Sequence, residues 1–288
     1  MAEVAFVIPV YNGAKFLPDL IESLLAQDAD LEIVAVDDGS SDGSSEVLAA
    51  YNRVKLIRQS NAGVSAARNA GASHTSSPFL TFIDQDDWLE PTYAAHMTAA
   101  LRTSPDAAAV YCEAIIHEDT GEVFAISEGD HSSEFFEALL NNVCPMSTGA
   151  VMMRREPFFQ VGGFDPTLNN VGEDLDLWFK LARTSRWAYV PLHLFHWRGH
   201  ELNRSTQFVA MYAGVKRLLR RYASGASYRR ALSKKQQRCV QDIRRALRRK
   251  WSARCLRVKD VAAVLGQVAR HPELVPQLVR PPIFRRGR

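Results

Sequence analysis

Three carboxylates lie within four residues, at Asp84, Asp86 and Asp87, directly after the apolar run 78–83. Like charges this close together repel each other, and the repulsion is stronger where a buried strand ends. A divalent cation such as Mg²⁺ or Mn²⁺ removes that repulsion and also binds the oxygens of a diphosphate. The segment therefore predicts a metal-assisted phosphate site. The alternative is an acidic turn in which Asp87 caps a helix that Pro91 helps to start.

A second pair of carboxylates, Asp37 and Asp38, follows the apolar run that ends at Val36, and glycines come soon after. Glycine allows a tight turn and a close approach of the main chain to a ligand. Asp38 is predicted to accept hydrogen bonds from a nucleotide base or a ribose. Asp42, in the same segment, is predicted to cap the helix that follows.

Arg68 stands among small residues in the segment 61–71. Small side chains let a helix approach its neighbours closely. A guanidinium one turn into such a helix reaches phosphate oxygens, assisted by the helix dipole. The alternative for Arg68 is a surface ion pair.

The elements that must position these side chains alternate in type. Apolar runs rich in β-branched residues predict strands at 4–10, 31–36, 54–57 and 79–83, and helical spacing predicts helices at 15–26, 44–51 and 64–73. Such alternation predicts an α/β fold, in which helices cover both faces of a mostly parallel sheet. The polar clusters follow the first, second and fourth strands, so we expect them to share one crevice at the carboxyl ends of the strands.

The pattern changes after residue 106. Strand-like runs around Val110 and Val123, with Thr120-Gly121 as a hairpin turn, begin a second part of the same domain. Helical spacing returns at 208–222 and 232–251, with a linker at 224–227. The sequence predicts one domain at 1–205, divided near residue 100, and a helical region at 206–288.

Charge is distributed unevenly along the 288 residues, although the net charge is only +3. Residues 216–288 hold 22 Lys or Arg and three acidic residues, whereas residues 1–215 hold 13 Lys or Arg and 29 Asp or Glu. The basic, amphipathic segment 244–251 suits an anionic membrane surface. A solvated or intramolecular basic face is the alternative, and nucleic acid is not favoured because no recognition motif is present.

Composition limits the class of protein. No apolar run approaches the roughly 20 residues of a membrane span. A signal peptide requires a basic stretch before its apolar run, and no such stretch precedes the first apolar run here. The four cysteines are far apart and include no Cys-x-x-Cys pair, so neither a zinc ribbon nor a disulfide framework is indicated. These features predict a globular protein of the reducing cytoplasm, with peripheral contact to the inner face of the membrane as an option.

Five segments together resemble the family 2 glycosyltransferases in order and spacing. They are Val7-Ile8-Pro9-Val10-Tyr11-Asn12, Val36-Asp37-Asp38-Gly39-Ser40, Ser65-Ala66-Ala67-Arg68-Asn69-Ala70-Gly71, Phe82-Ile83-Asp84-Gln85-Asp86-Asp87 and Gly172-Glu173-Asp174-Leu175-Asp176-Leu177-Trp178. The resemblance covers about residues 3–205. It implies a GT-A fold, a nucleotide-sugar donor, a divalent metal (Mn²⁺ or Mg²⁺) and inversion at the anomeric carbon.

The resemblance also implies roles for parts of the chain. Residues 1–100 would bind the nucleotide sugar, and residues 101–205 the acceptor. The implied donor-site residues are Pro9 and Tyr11 at the nucleotide, Asp38 at a uracil or thymine base, Arg68 near the diphosphate, Asp84 at the ribose or metal shell, and Asp86 on the metal. The segment Trp197-Arg198-Gly199-His200 is similar to a tyrosine-arginine-x-histidine segment of the family, which implies that His200 approaches the metal or the diphosphate.

Inversion by direct displacement requires a base opposite the leaving group, to remove the proton of the acceptor hydroxyl. Glu173 and Asp174 are neighbours at a predicted helix start, where successive side chains point in different directions. The resemblance favours Asp174 as the base, with Glu173 near the acceptor. Alternatively, both acids simply favour the positive end of the helix dipole. Trp178, one turn later, is predicted to pack in the core.

The predicted function is transfer of a sugar from a nucleotide-diphosphate donor, UDP- or dTDP-linked, to a hydroxyl of a glycan or lipid-linked glycan. Two alternatives remain open. One is nucleotidyl transfer, which also uses acidic metal sites and would release pyrophosphate instead of a nucleoside diphosphate. The other is a noncatalytic module that binds nucleotide sugars or a membrane.

Overall fold

The computed structural model of the protein describes residues 2–141, 143–145, 147–168, 172–199, 208–252, 271 and 274. The chain divides into two compact units, Met1–Leu139 with Val143–Asn203 and Leu140–Asn142 with Arg204–Arg288. All the predicted site residues that are described lie in the first unit. His200, a predicted metal ligand, lies outside the described residues.

The helices and strands follow one another in a mostly alternating order. They are β1 (Val4–Val10), α1 (Leu17–Leu25), β2 (Leu31–Asp37), α2 (Ser44–Ala49), β3 (Val54–Arg58), α3 (Val64–Ser73), β4 (Phe79–Phe82), β5 (Trp88–Leu89), α4 (Tyr93–Thr103), β6 (Ala107–His117), β7 (Val123–Ile126), α5 (Phe135–Leu140), β8 (Val151–Arg154), α6 (Arg155–Gln160), α7 (Glu173–Thr184), β9 (Arg186–Arg198), α8 (Phe208–Tyr222) and α9 (Gly225–Ser252).

The sheet has a parallel half and a mixed half. Strands β3, β2, β1 and β4 lie side by side in that order and are parallel. The antiparallel strand β8 joins β4 to β6, and β6 pairs in parallel with β9. Strand β5 pairs with β9 and β7 with β6, both antiparallel. The predicted parallel α/β arrangement is confirmed for the first four strands. Strand β8 was not predicted, because its partners are distant in sequence and leave no local signal.

Two local predictions have different outcomes. The hairpin at Thr120-Gly121 is confirmed, since Gly121 takes the left-handed φ of 84° between β6 and β7. The break predicted at 224–227 between two helices is confirmed in part, because only residues 223–224 separate α8 from α9, which already begins at Gly225. The carbonyl of Ser224 accepts the N–H of Tyr228 (3.2 Å) and the hydroxyl of Ser227 (2.8 Å), which allows the helix to start there.

Helix α3 packs closely on the sheet beside the predicted site. Its Gly71 faces Val7 of β1, and a Cβ at Gly71 would lie 2.3 Å from Val7 Cγ1 and 3.2 Å from Val36 Cγ2. Only glycine allows this approach without a shift of the helix. The other face of β1, which carries Phe6 and Ile8, belongs to a core cluster that includes residues of α1 and α4. Helices therefore cover both faces, as predicted.

Trp178 is fully buried on α7 and packs edge-to-face on Trp187, so its predicted core role is confirmed. In the second unit, α8 and α9 bury Leu218, Leu219, Ala231 and Val240. Among the described helices, none is both long and apolar enough to cross a membrane.

Candidate active site

The loop that follows β1 is fastened to the loop that follows β2. Three main-chain N–H groups of the first loop donate to side-chain oxygens of the second loop or of the first residue of α2, each at a distance of 3.0 Å. The pairs are Asn12 to Ser40 Oγ, Gly13 to Ser44 Oγ and Ala14 to Asp42 Oδ2. Asp42 is not the N-cap of α2, as had been predicted, because Gly43 occupies that position. Its carboxylate also accepts the N–H of Ser44 (3.1 Å).

Gln85 fastens the loop after β4 to the loop after β1. Its Oε1 accepts the N–H of Tyr11 (2.9 Å), and its Nε2 donates to the carbonyl of Tyr11 (3.2 Å). The Gln85 side chain passes so close to Gly13 that a Cβ on that residue would lie 2.2 Å from Gln85 Oε1. The three loops predicted to share one crevice are thus connected in pairs. The ring of Tyr11 remains 50% exposed, whereas Pro9 is buried in β1.

Asp38 lies at the carboxyl end of β2 and holds the loop that leads into α3. Its Oδ1 accepts from Gln59 Nε2 (2.7 Å) and from the N–H of Ala62 (2.8 Å), and its Oδ2 accepts from the N–H of Gly63 (2.8 Å). An ionised carboxylate has about four acceptor positions. These three bonds leave Asp38 able to accept one further N–H.

Asp37, its neighbour, is fully buried and structural. Oδ1 accepts the N–H of Ser40 (2.8 Å), and Oδ2 accepts the hydroxyl of Ser45 and lies 3.6 Å from Arg58 Nε. Burial opposes ionisation, but the hydrogen bonds from Ser40 and Ser45 outweigh it and lower the pKa of Asp37. The two adjacent carboxylates therefore hold different loops. Asp37, fully buried, holds the loop after β2, and Asp38, 4% exposed, holds the loop that leads into α3.

Arg68 of α3 joins two regions of the chain that are far apart in sequence. Its Nη2 lies 2.6 Å from Asp84 Oδ1, in the loop after β4, and its Nη1 lies 3.3 Å from Glu173 Oε1 on α7. The guanidinium lies over the ring of Phe164, 5.1 Å from its centroid. Although burial acts in the opposite direction, the negative charges of Asp84 and Glu173 raise the pKa of Arg68. Arg68 is buried and is not a surface ion pair.

Asp174 follows Glu173 in the first turn of α7 and has an unusually high pKa. Burial, and then the negative charge of Glu173, raise the pKa of Asp174 to about 6. Its Oδ1 accepts the N–H of Leu175 (2.7 Å), and the charge of Arg68 acts against the rise. A carboxylate with this pKa is ionised at neutral pH and binds a proton more readily than an ordinary aspartate. The arrangement suits a general base.

The acidic loop after β4 concentrates negative charge. Asp87 is 2% exposed, and burial, followed by the charges of Asp86 and Asp84, raises its pKa well above the usual range. Within the part of the chain that the structure describes, no group of three His, Cys, Asp or Glu side chains is arranged to hold a metal ion. A divalent cation at Asp86 therefore fits only if diphosphate oxygens and waters complete its shell, as is common for Mg²⁺.

Asp87 does not cap a helix, because α4 begins at Tyr93 with Thr92 as its N-cap. Instead, its Oδ1 accepts the N–H of Arg198 at the end of β9 (3.1 Å). The acidic loop thus contacts β9, which belongs to the predicted acceptor part of the domain.

A sequence model of glycosyl transferase family 2 matches residues 5–162, more than half of the chain. The chain belongs to glycosyl transferase family 2. It is 40% identical to EpsH of Bacillus subtilis over 126 residues, which are 41% of this chain and 36% of EpsH. It is also 40% identical to the glycosyltransferase GlyA of Streptococcus pneumoniae over 96 residues, 32% of this chain and 14% of GlyA. The matches thus span about a third of EpsH and a smaller part of GlyA.

Two solved structures share the fold of this family 2 chain. TarS of S. aureus in complex with UDP-GlcNAc has a TM-score of 0.61 and 16% identity, over 84% of this chain and 71% of the other. The mannosyltransferase PcManGT from Pyrobaculum calidifontis, in complex with GDP-Man and Mn²⁺, has a TM-score of 0.61 and 17% identity, over 96% and 83%. The likeness confirms the predicted α/β GT-A fold.

Three site residues of this family 2 chain were missed by reasoning from the sequence. Gln85 and Gln59 bond to the loop after β1 and to Asp38, respectively, and Arg198 bonds to the acidic loop. Gln85 lies inside the acidic motif, so its position was a usable signal. Arg198 lies in the segment Trp197-Arg198-Gly199-His200 that resembles the family, so its position was also a usable signal. Gln59 carries no such signal, because its partner is set by strand pairing.

Proposed function

We propose that this chain is an inverting glycosyltransferase that moves a sugar from a nucleoside-diphosphate donor to a hydroxyl of a glycan or lipid-linked glycan. The supporting observation is the ion-pair bridge at Arg68, which lies 2.6 Å from Asp84 and 3.3 Å from Glu173. This bridge brings the predicted donor side and the predicted base, Asp174, into one site. Such an activity belongs to polysaccharide synthesis.

On the donor side, Tyr11 and Asp38 are the proposed contacts of the nucleotide base. The remaining acceptor position of Asp38 takes an N–H of the base, which suits N3–H of uracil or thymine. The exposed ring of Tyr11 offers a flat apolar surface for the base. UDP- and dTDP-sugars are therefore the donors of choice. The UDP-GlcNAc and GDP-Man named for TarS and PcManGT belong to those proteins.

At the diphosphate, Asp86 supplies the carboxylate for Mn²⁺ or Mg²⁺, and Asp84 contacts the ribose or the metal shell. His200 is the further metal ligand in this proposal. A metal held there would supply charge stabilisation for the departing nucleoside diphosphate. Arg68 balances the charge of Asp84 from the protein side and lies near the diphosphate.

On the acceptor side, Asp174 removes the proton of the attacking hydroxyl. Its pKa of about 6 leaves it ionised at pH 7 and poised to accept that proton. Glu173 is held by Arg68 and orients the acceptor, and its charge also raises the pKa of Asp174. Attack opposite the leaving group then inverts the anomeric carbon.

The second unit is proposed to contact an anionic membrane, which would bring a lipid-linked acceptor near the enzyme. The support is its charge, since residues 208–241 contain nine Lys or Arg and no Asp or Glu. Each basic residue near such a surface contributes about 1 kcal/mol.

A donor panel tests the proposal. The protein is incubated with UDP-, dTDP- and GDP-sugars, with Mn²⁺, Mg²⁺ or EDTA, and both binding and release of nucleoside diphosphate or pyrophosphate are measured. Metal-dependent release of nucleoside diphosphate, increased by acceptor glycans, supports the transferase. Release of pyrophosphate would support nucleotidyl transfer, and folded protein that binds no donor would support a noncatalytic module.

A further inference from the structure

Arg198 holds the main chain of the acidic loop from the end of β9. Its Nε donates to the carbonyl of Asp86 (3.0 Å), and its main-chain N–H donates to Asp87 Oδ1 (3.1 Å). Asp86 is the proposed metal carboxylate. The two bonds act on consecutive residues, so they restrict both the position and the direction of the main chain that carries this carboxylate.

The guanidinium of Arg198 is itself fixed on several sides. Its Nη2 lies 2.7 Å from Asp19 Oδ2 on α1. The group lies over two aromatic rings, 4.7 Å from the centroid of Trp88 and 5.6 Å from that of Phe16. The side chain is 28% exposed. Because Asp19 offsets its charge, Arg198 can lie beside the acidic loop with little repulsion of a cation bound there.

Trp88, the platform under Arg198, follows the acidic loop directly and is held by two histidines. His196 stacks on it at 5.0 Å with an interplanar angle of 13°, and His117 lies 4.5 Å away. His196 Nε2 lies 2.8 Å from Glu90 Oε1, and its Nδ1 lies 2.9 Å from His117 Nε2. Strand pairing aligns Trp88 with His196, so the platform rests on sheet structure.

We propose that Arg198 is a positioning residue for the divalent cation and the nucleoside diphosphate, which acts by holding Asp86 and does not itself contact the donor. The inference rests on the proposed function and deepens it. Removing groups that orient a metal ligand typically lowers metal affinity about 10- to 100-fold. Any Arg198 variant without Nε loses the side-chain bond to the Asp86 carbonyl, whereas the main-chain bond from residue 198 to Asp87 remains.

The test compares Arg198→Ala and Arg198→Lys with Arg102→Ala. Lysine keeps the positive charge but lacks the Nε donor and the flat group that stacks on Trp88. Arg102 on α4 is a matched control, because its Nη2 also pairs with a carboxylate, 2.6 Å from Glu3 Oε2, and its side chain is 64% exposed. Glu3 precedes β1, so this ion pair lies at the end of β1 opposite to the proposed site. Three quantities are measured: the Mn²⁺ concentration for half-maximal transfer, the calorimetric Kd of nucleoside diphosphate at fixed Mn²⁺, and the melting temperature. The nucleotide is the one among UDP, dTDP and GDP that the wild type binds.

Both Arg198 variants are expected to raise the half-maximal Mn²⁺ concentration and the nucleotide Kd by about 10-fold or more. Saturating Mn²⁺ should restore most of kcat, which a general loss of folded protein would not allow. Arg102→Ala should match the wild type. Unchanged Mn²⁺ dependence in folded Arg198→Ala, or full recovery in Arg198→Lys, would overturn the positioning role alone. Absence of metal-dependent nucleotide binding by the wild type would overturn the proposed function, and this inference with it.

Discussion

The buried guanidinium of Arg68 forms ion pairs with two carboxylates, while a third carboxylate nearby has a raised pKa. Arg68 pairs directly with Asp84 and Glu173, whereas Asp174 gains only a weaker attraction from it. Burial and the neighbouring charge of Glu173 therefore dominate at Asp174 and raise its pKa to about 6. Asp174 thus binds a proton more readily than an ordinary aspartate, which is what a base requires.

The first prediction concerns the base. Asp174→Asn should reduce turnover about 10²- to 10⁴-fold, because an amide cannot accept the hydroxyl proton. Donor binding should change little, since Asp38 and Asp86 are untouched. Release of nucleoside diphosphate and calorimetric donor binding are the measurements. The control is Asp106→Asn, an exposed carboxylate 3.5 Å from Arg186, and normal turnover in Asp174→Asn would contradict the assignment.

The second prediction concerns pH. Because Asp174 must be ionised to act, kcat should be high above about pH 6 and fall as the pH drops through that value. Glu173→Gln removes the like charge that raises the pKa of Asp174, so the midpoint of the kcat profile should move to lower pH. A pH–rate profile of both proteins at saturating donor is the check. A midpoint in Glu173→Gln equal to or above that of the wild type would refute the electrostatic account.

At the scale of elements, helix α3 determines how deeply Arg68 enters the site. The helix lies against β1 and β2 through small residues, and a Cβ at Gly71 would lie 2.3 Å from Val7 Cγ1. The loop before the helix is held by Asp38, and Arg68 lies in the first half of the helix. The position of α3 therefore affects both the loop held by Asp38 and the ion pairs of Arg68 with Asp84 and Glu173.

The third prediction tests that packing. Gly71→Ala should destabilise the fold by about 1–3 kcal/mol, because the new methyl group overlaps Val7. Urea denaturation measures the loss. In a Val7→Ala background the same substitution should cost less, since the opposing methyl groups are gone, and a double-mutant cycle reports the coupling. Strictly additive changes in the free energy of unfolding would show that Gly71→Ala and Val7 are not in steric conflict.

At the scale of the whole chain, opposite charges are segregated into different units. The described helices α8 and α9 carry exposed arginines and no acidic residue before Asp242. Among the side chains of these helices that the structure describes, Leu218, Leu219 and Val240 are buried. For the described part of these helices, attraction to a membrane would therefore come from the exposed arginines.

The fourth prediction is that the protein binds vesicles containing phosphatidylglycerol and does not bind phosphatidylcholine vesicles. Rising salt should weaken the binding, because the Debye length shortens. Changing Arg229, Arg230 and Arg238 to Gln should reduce co-sedimentation, whereas the same change at the exposed Arg53, Arg102 and Arg186 should not. Equal losses in both triple variants would argue against a specific basic surface.

The sequence alone determined the order and type of most elements, and it located the five motifs of the family. Strand β1 and helix α3 were predicted with their observed bounds, because periodicity and small-residue spacing act between neighbours in the chain. The family and the GT-A fold followed from the motifs. The roles of Asp86 and His200 at a metal stay predictions.

The tertiary structure decided which of these residues act on each other. Arg68 meets Glu173 across 105 positions, and Arg198 meets Asp86 across 112. Nothing in the local sequence shows that Asp37 holds the loop after β2, whereas Asp38 holds the loop that leads into α3. Such partnerships depend on how the sheet closes and on which groups become buried together. Burial and the resulting electrostatic environment are properties of the folded chain, so no local pattern encodes them.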